Sequence, residues 1–250
     1  MGLLDDRTVL VTAAAGAGIG YATAKRCAEE GARVVISDVH ERRLGEAAGR
    51  LAEETGARPV AAIPCDVRDT GQVDALVRAA EEASGGVDVL VNNAGMGGDQ
   101  AVAEMTDDEW DLVIDVSLTS VFRVTRAMLR AMLPRRAGTI VNMASVSGWR
   151  AQERQAHYAA AKAGVMAFTR CVAMETARSG IRVNAVAPSL AMHPFLERTV
   201  SRELLDDLAG REAFGRGATP EEVANVVVFL ASGMSSYMTG EVVSVSSRHP

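Results

Sequence analysis

The chain has 250 residues, 48% of them hydrophobic and 23% charged, with a net charge of −6. That length carries one large α/β domain with a sizeable core, and the composition is that of an ordinary globular protein. An acidic balance without a long basic run excludes wholesale binding to nucleic acid or an anionic membrane.

In chain order, Thr8–Val11 reads as a short buried strand and Ile19–Glu30 as a helix stopped by Gly31. Arg33–Ser37 is a second strand, Glu41–Thr55 a second helix and Val60–Pro64 a third strand. Thr70–Ala83 is a helix ended by Ser84-Gly85-Gly86, and Val87–Val91 is a fourth strand. Thr106–Leu133 is one long helical region, straight or kinked, opened by Thr106 and Glu109 in capping-box spacing. Thr139–Met143 is a fifth strand, His157–Ser179 a long helix ended by Gly180, and Arg182–Val186 a sixth strand. A polar, helical-looking insert covers Pro194–Gly215, followed by the helix Pro220–Ala231 and a seventh strand, Glu241–Val245. Continuous apolar strands alternating with helices predict a parallel sheet covered on both faces. The expected architecture is a single doubly wound Rossmann domain over 1–250, with seven strands and a substrate-covering insert at about 193–216.

The start of the chain, Met1-Gly2-Leu3-Leu4-Asp5-Asp6-Arg7, has no basic-then-apolar signal pattern. No apolar run approaches the ~18 residues that span a bilayer. Cys27, Cys65 and Cys171 are odd in number and far apart, which suits a reducing cytoplasmic compartment and small buried hydrophobes, with no disulfide framework or metal site.

The first strand runs into Thr12-Ala13-Ala14-Ala15-Gly16-Ala17-Gly18-Ile19-Gly20 and then a helix. Glycines there let backbone N–H groups approach a pyrophosphate at a helix N-terminus, where the dipole favours anions. A tight strand-to-helix turn is the alternative reading. Asp38 closes the second strand eighteen residues after Gly20. A carboxylate there accepts hydrogen bonds from adenosine ribose hydroxyls and repels a 2′-phosphate, so NAD is favoured over NADP. Asp66-Val67, after the third strand, either reaches the adenine or makes a turn. Asn92-Asn93-Ala94-Gly95 either approaches the cofactor or clamps the sheet.

Tyr158 and Lys162 stand one helical turn apart on the same face. A nearby cation lowers a phenol's pKa, which would let the pair exchange a proton with a substrate oxygen. Ser145 ends the fifth strand thirteen residues before Tyr158 and can bind the same oxygen.

Together these motifs resemble the short-chain dehydrogenase/reductase family, along essentially the whole chain from the glycine loop to Arg182–Pro188. The resemblance implies hydride transfer between the nicotinamide and a carbinol or carbonyl carbon, with proton exchange at Tyr158. It also implies that Lys162 binds the nicotinamide ribose, that Pro188, Ser189, Ala191 and His193 line the cofactor, and that the helices 106–133 and 157–179 assemble a homo-oligomer, commonly a tetramer. Four departures stand out. The glycine loop begins Thr12-Ala13 where the family usually has Thr-Gly, and it is one residue longer. Ser117 occupies the place of an Asn that props a helix kink and a proton-relaying water. Pro188-Ser189 replaces Pro-Gly, leaving His193 as a cofactor contact or a plain loop residue. The ending Glu241–Ser247 lacks the usual Asp-Gly-Gly. The stretches Thr12–Gly20, Thr106–Trp110, Asp115–Ser120, Gly148–Gln152, Glu212–Arg216 and Ser235–Glu241 resemble actinobacterial short-chain dehydrogenases of steroid C/D-ring breakdown, which act on hydroxy-methyl-oxo-hexahydroindene carboxyl-CoA thioesters.

Substrate is expected over Gly95–Gln100, Gly148–Gln155 and the insert, with Met96, Trp149, Arg150, Gln155 and Phe195 as candidate contacts. Arg150 and Arg154 either meet a CoA phosphate or remain solvated loop charges. A linear 3-oxoacyl thioester is the alternative substrate. A non-catalytic nucleotide-binding scaffold is the alternative class, opposed by the presence of Ser145, Tyr158 and Lys162 together.

Overall fold

The structure, a computed structural model, describes residues 2–57, 59–193, 196–197 and 201–248. Its elements are β1 (Thr8–Thr12), α1 (Ile19–Glu29), β2 (Arg33–Asp38), α2 (Glu41–Thr55), β3 (Ala61–Pro64), α3 (Thr70–Ser84), β4 (Val89–Asn92) and α4 (Asp107–Ile114). They continue with α5 (Ser120–Arg135), β5 (Gly138–Met143), α6 (Ala156–Thr176), β6 (Ile181–Pro188), α7 (Arg202–Gly210), α8 (Pro220–Ala231) and β7 (Val242–Val245). The strands form one sheet in the order β3-β2-β1-β4-β5-β6-β7, and every neighbouring pair is parallel.

Strand alternation explains why both faces are covered. Val9 and Val11 of β1 pack among Tyr21, Ala24, Leu44, Leu51, Val223 and Val227, beneath α1, α2 and α8. Leu10, between them, packs on the opposite face with Leu76, Val77, Val124, Met128 and Val172 of α3, α5 and α6. A strand buried on both sides has no polar face to show, hence its unbroken apolar run. Polar groups within the sheet are paired: Asn92 donates to Thr125 Oγ1 and Asn142 Oδ1, and Asn142 donates to Thr169 Oγ1, at 2.8–3.0 Å. This is the sheet clamp weighed for the Asn92-Asn93 pair. The order reverses between β1 and β4, which opens a crevice beyond their carboxyl ends.

The predicted helix 106–133 is broken in the middle. Thr106 and Glu109 form the capping box that starts α4. The chain then widens into a π-helical turn over Asp115–Thr119 before α5 begins. The described part of the predicted insert includes helix α7, capped by Ser201. Phe195, a candidate substrate contact, lies outside the described residues.

Candidate active site

The loop after β1 is held from three sides. Thr12 Oγ1 accepts from the Asn93 and Ala94 amides at 3.0 and 3.2 Å. Asn93 Nδ2 donates to the carbonyls of Thr12 and Ala13 at 3.0 and 3.1 Å. Ala14 N donates to Ser37 O, so the loop leaves the sheet still pinned to β2. Ala13 adopts φ 53°, a left-handed conformation in which a Cβ is strained. Gly20 permits the closest approach: a Cβ there would stand 2.4 Å from both Ala13 O and Asn93 Nδ2. Gly18 caps α1 without any side-chain hydrogen bond, and Ile19 follows it, so the helix opens with its first amides free of a capping side chain. A Cβ on Gly16 would make only an ordinary contact, 3.8 Å from Gly18 N. The His193 ring faces Gly18, 3.8 Å from where a Cβ would sit, which brings the far loop onto the glycine turn.

Asp38 ends β2 half-buried at the rim of this loop. Its Oδ2 accepts from Ala15 N at 3.2 Å and its Oδ1 from His40 N at 2.9 Å. Burial pushes its pKa up, against the lowering effect of the Ala15 amide and Arg43. Asp66 is committed elsewhere. Arg68 grips its carboxylate with Nε and Nη2 at 2.6–3.1 Å, and the Arg68 amide also donates to it. That favours the turn reading for Asp66-Val67. On the other side of the crevice Ser189 N donates to Val245 O at 3.0 Å, fixing the turn after Pro188. Ala191 bridges Ala218 and is buried.

Ser145 follows β5 and caps a short 3-10 turn, Val146–Gly148. Its Oγ exchanges hydrogen bonds with Ser147, accepting from the amide and donating to the hydroxyl, both at 3.2 Å. Gly148 lets this turn lie against α6, since a Cβ would come within 2.9 Å of Ala163 N. The turn therefore brings Ser145 close to Tyr158, near enough for its hydroxyl to lower the phenol's pKa. Lys162 is buried at 3% exposure, and its Nζ donates to Met143 O at 2.7 Å. Gly95 lies between Lys162 Nζ and Ser117 Oγ, 3.1 and 3.7 Å from its would-be Cβ. Ser145, Tyr158, Lys162, Ser117 and the Asn93–Gly95 turn thus converge.

The electrostatics differ from the sequence expectation. Burial raises the Tyr158 phenol above its ordinary value, opposed by Ser145. Lys162 Nζ stands 5.6 Å from the phenol ring centroid and is turned toward Met143 O. Burial brings the lysine down to about 8. Desolvation is the largest influence on both groups. The Tyr158 phenol is therefore held protonated, as a donor.

Ser117 sits inside the π-turn, fully buried. Its Oγ accepts from Met96 N at 3.0 Å and donates to Met96 O at 2.8 Å. The hydroxyl props the 95–100 loop directly, leaving one lone pair of the two for a water. Met96 and Trp149 are exposed beside the crevice. Gln155 precedes α6 as its cap residue. The Arg150 guanidinium is engaged with Ser246 Oγ at 3.2 Å and the Arg248 carbonyl. Arg154 pairs with Asp99 at 2.9 Å. Both arginines thus tie loops together, the purpose that sequence reading did not assign them.

Arg50 was also invisible to sequence reading. It donates to Gly16 O at 3.0 Å while its guanidinium lies 3.8 Å above the Tyr21 ring, clamping the glycine loop from α2. Thirty-four residues separate the partners. No local pattern marks such a contact.

A family model described as enoyl-(acyl carrier protein) reductase matches residues 13–247. Over all 250 residues, the chain is 62% identical to the (5R,7aS)-5-hydroxy-7a-methyl-1-oxo-2,3,5,6,7,7a-hexahydro-1H-indene-carboxyl-CoA reductase of Mycobacterium tuberculosis, covering 95% of that protein. The chain belongs to the short-chain dehydrogenase/reductase family. It is an oxidoreductase of that family. A 3-oxoacyl-[acyl-carrier-protein] reductase FabG of Chlamydia muridarum is 38% identical, with 97% of each chain covered. A crystal structure of a short chain dehydrogenase from Mycobacterium smegmatis superposes with a TM-score of 0.88 at 55% identity, covering 100% of this chain and 95% of that one.

Short-chain dehydrogenase/reductases use nicotinamide cofactors, and the residues present fit one. The uncapped N-terminus of α1, the uncrowded Gly16 and the half-buried Asp38 carboxylate line one rim of the crevice. No helix among the described residues is long and apolar enough to cross a membrane. Cys27 and Cys65 are buried, with thiols pushed up to about 12 by desolvation.

Proposed function

We propose that this chain is an NAD(H)-dependent dehydrogenase/reductase that interconverts a secondary alcohol and a ketone on a hydroxy-methyl-oxo-hexahydroindene carboxyl-CoA thioester or a close steroid-derived relative. The observation that carries the substrate is the 62% identity along the whole chain to a reductase of that name, against 38% to a FabG reductase. Convergence of Ser145, Tyr158 and Lys162 at the mouth of the crevice supports the reaction class.

In this reading the α1 N-terminus and the amides of the 12–20 loop receive the pyrophosphate. Asp38 accepts from the adenosine ribose hydroxyls and disfavours a 2′-phosphate, hence NAD. Asn93, Ala94, Gly95, Pro188, Ser189, Ala191 and His193 line the rest of the cofactor path. The nicotinamide supplies or accepts the hydride when bound. Ser145 orients the substrate oxygen. Tyr158, kept protonated by burial, donates its proton to a carbonyl oxygen in the reducing direction. Lys162, one turn along α6, binds the nicotinamide ribose and keeps a positive charge beside the phenolate as it forms. Ser117 acts through Met96, holding the loop against which the substrate lies.

We assign residues 1–250 to one domain and the enzyme to the cytoplasm. Exposed apolar side chains on α4, α5 and α6 (Trp110, Leu112, Phe122, Leu133 and Met174) support a homo-oligomer built on these helices. The deciding experiment follows NADH absorbance with a hydroindane-type CoA ester beside acetoacetyl-CoA. A higher kcat/KM for the ring substrate is expected. Faster turnover of the linear thioester would overturn the substrate assignment in favour of a 3-oxoacyl reductase.

A further inference from the structure

The segment between β6 and α8 leaves the carboxyl edge of the sheet and returns to it. Its base is pinned where Met192 N donates to Ala218 O and Ala218 N donates to Leu190 O, both at 2.8 Å. Its outer part, α7 and the turn after it, is held differently. Among the described residues, and apart from the capping bonds to the adjacent Ser201, the hydrogen bonds that join 202–215 to the rest of the chain both end on one hydroxyl, that of Ser247. Ser247 Oγ donates to Glu212 Oε2 at 2.9 Å and accepts from Phe214 N at 3.5 Å. Glu212 is 8% exposed, so its carboxylate is removed from water at this contact. The tail bearing Ser247 is tied in turn to the active site. Arg150, five residues beyond Ser145, donates to Ser246 Oγ at 3.2 Å and to the Arg248 carbonyl. Ser246 Oγ closes the tail on itself, donating to Arg248 O at 2.6 Å and accepting from Arg248 N at 3.1 Å.

These side chains come from Ser246-Ser247, where the chain departs from the Asp-Gly-Gly ending of its family. A glycine at 247 has no hydroxyl to offer Glu212.

We propose that residues 246–248 are a strap joining the α7 segment to the turn after Ser145, with Ser247 and Glu212 as positioning residues that set how firmly the enzyme encloses a bulky thioester. The proposal rests on the substrate class inferred above. A long ring-bearing thioester bound at the catalytic turn and covered by α7 would need both held at a fixed spacing. The strap touches neither the glycine loop nor Tyr158, so it acts on substrate binding and leaves proton transfer and NADH binding alone.

The test compares Ser247→Ala, Glu212→Ala and Glu212→Gln with the unaltered enzyme. With the hydroindane CoA ester, Ser247→Ala and Glu212→Ala are expected to raise KM by about tenfold, with kcat and the Kd for NADH within about twofold. Glu212→Gln, whose amide oxygen accepts the same bond, is expected to restore KM. A parallel measurement without substrate follows amide hydrogen exchange. Ser247→Ala and Glu212→Ala should speed exchange across 202–215 and leave α6 and the sheet unchanged. If exchange in 202–215 is unaltered, or if kcat falls while KM stays constant, the strap is refuted. If the unaltered enzyme prefers acetoacetyl-CoA, the substrate reading fails by itself, and exchange still decides whether the strap exists.

Discussion

Lys162 is expected to cost the protein stability in return for activity, and the cost has a distinctive dependence on pH. The side chain is 3% exposed, and its ammonium donates to Met143 O. Burial lowers its pKa from 10.5 to about 8. At about 1.4 kcal/mol per unit, the folded state carries a penalty of about 3 kcal/mol for holding the charge at pH 7. Between the two values the unfolded chain binds more protons than the folded one, so stability rises with pH across that window. By pH 9.5 the folded lysine is neutral and the penalty has fallen to about 1 kcal/mol. Lys162→Met keeps the shape and removes the charge, but leaves Met143 O without its partner, at a cost of about 1–2 kcal/mol. The variant should therefore be inactive yet more stable by about 1–2 kcal/mol at pH 7, which raises Tm by about 3–6 °C in a chain of this size. At pH 9.5 that advantage should vanish or reverse, because the gap between the two proteins shrinks by about 2 kcal/mol. Thermal melts by circular dichroism at both pH values, without cofactor, measure it. Other titrating groups are common to both proteins and cancel in the difference. A gap in Tm that stays constant with pH would refute the reasoning.

Tyr158→Phe should lower kcat by about 10²–10⁴-fold while NADH still quenches intrinsic fluorescence with an unchanged Kd. Substantial residual turnover would remove the tyrosine from proton transfer. Asp38→Ala takes away the ribose acceptor, so KM for NADH should rise and KM for NADPH fall. A KM ratio that does not move would show that cofactor choice is made elsewhere. Gly20→Ala drives a Cβ into Ala13 O and Asn93 Nδ2; a loss of about 1–3 kcal/mol in urea denaturation and weaker NADH binding are expected. An unaltered midpoint would mean that the loop moves aside freely.

Much of the candidate site could be read directly from local spacing. Tyr158 and Lys162 share a helix face because four residues make about one turn. Thr106 and Glu109 announce a helix start for the same reason, and the structure contains that capping box. What local spacing does not carry is desolvation. The sign of the Tyr158 shift depends on how deeply α6 is buried, and depth is a property of the whole packing. Ser117 shows the same limit. Its position in the motif was visible, but not that its hydroxyl spends itself on both backbone groups of Met96, twenty-one residues away.

The sequence by itself determined the α/β alternation, the succession of buried strands along the chain, the glycine-rich opening of α1 and the spacing of the proposed catalytic trio. Each is written in a period or a spacing of a few residues. Tertiary structure alone decided which charges are spent on holding loops and which remain for ligands. Arg50 on Gly16, Arg68 on Asp66, Arg150 on the tail and Ser247 on Glu212 are all settled by where the finished sheet brings its loops. A guanidinium or hydroxyl is satisfied by whatever acceptor stands about 3 Å away, and chain separation has no bearing on that distance.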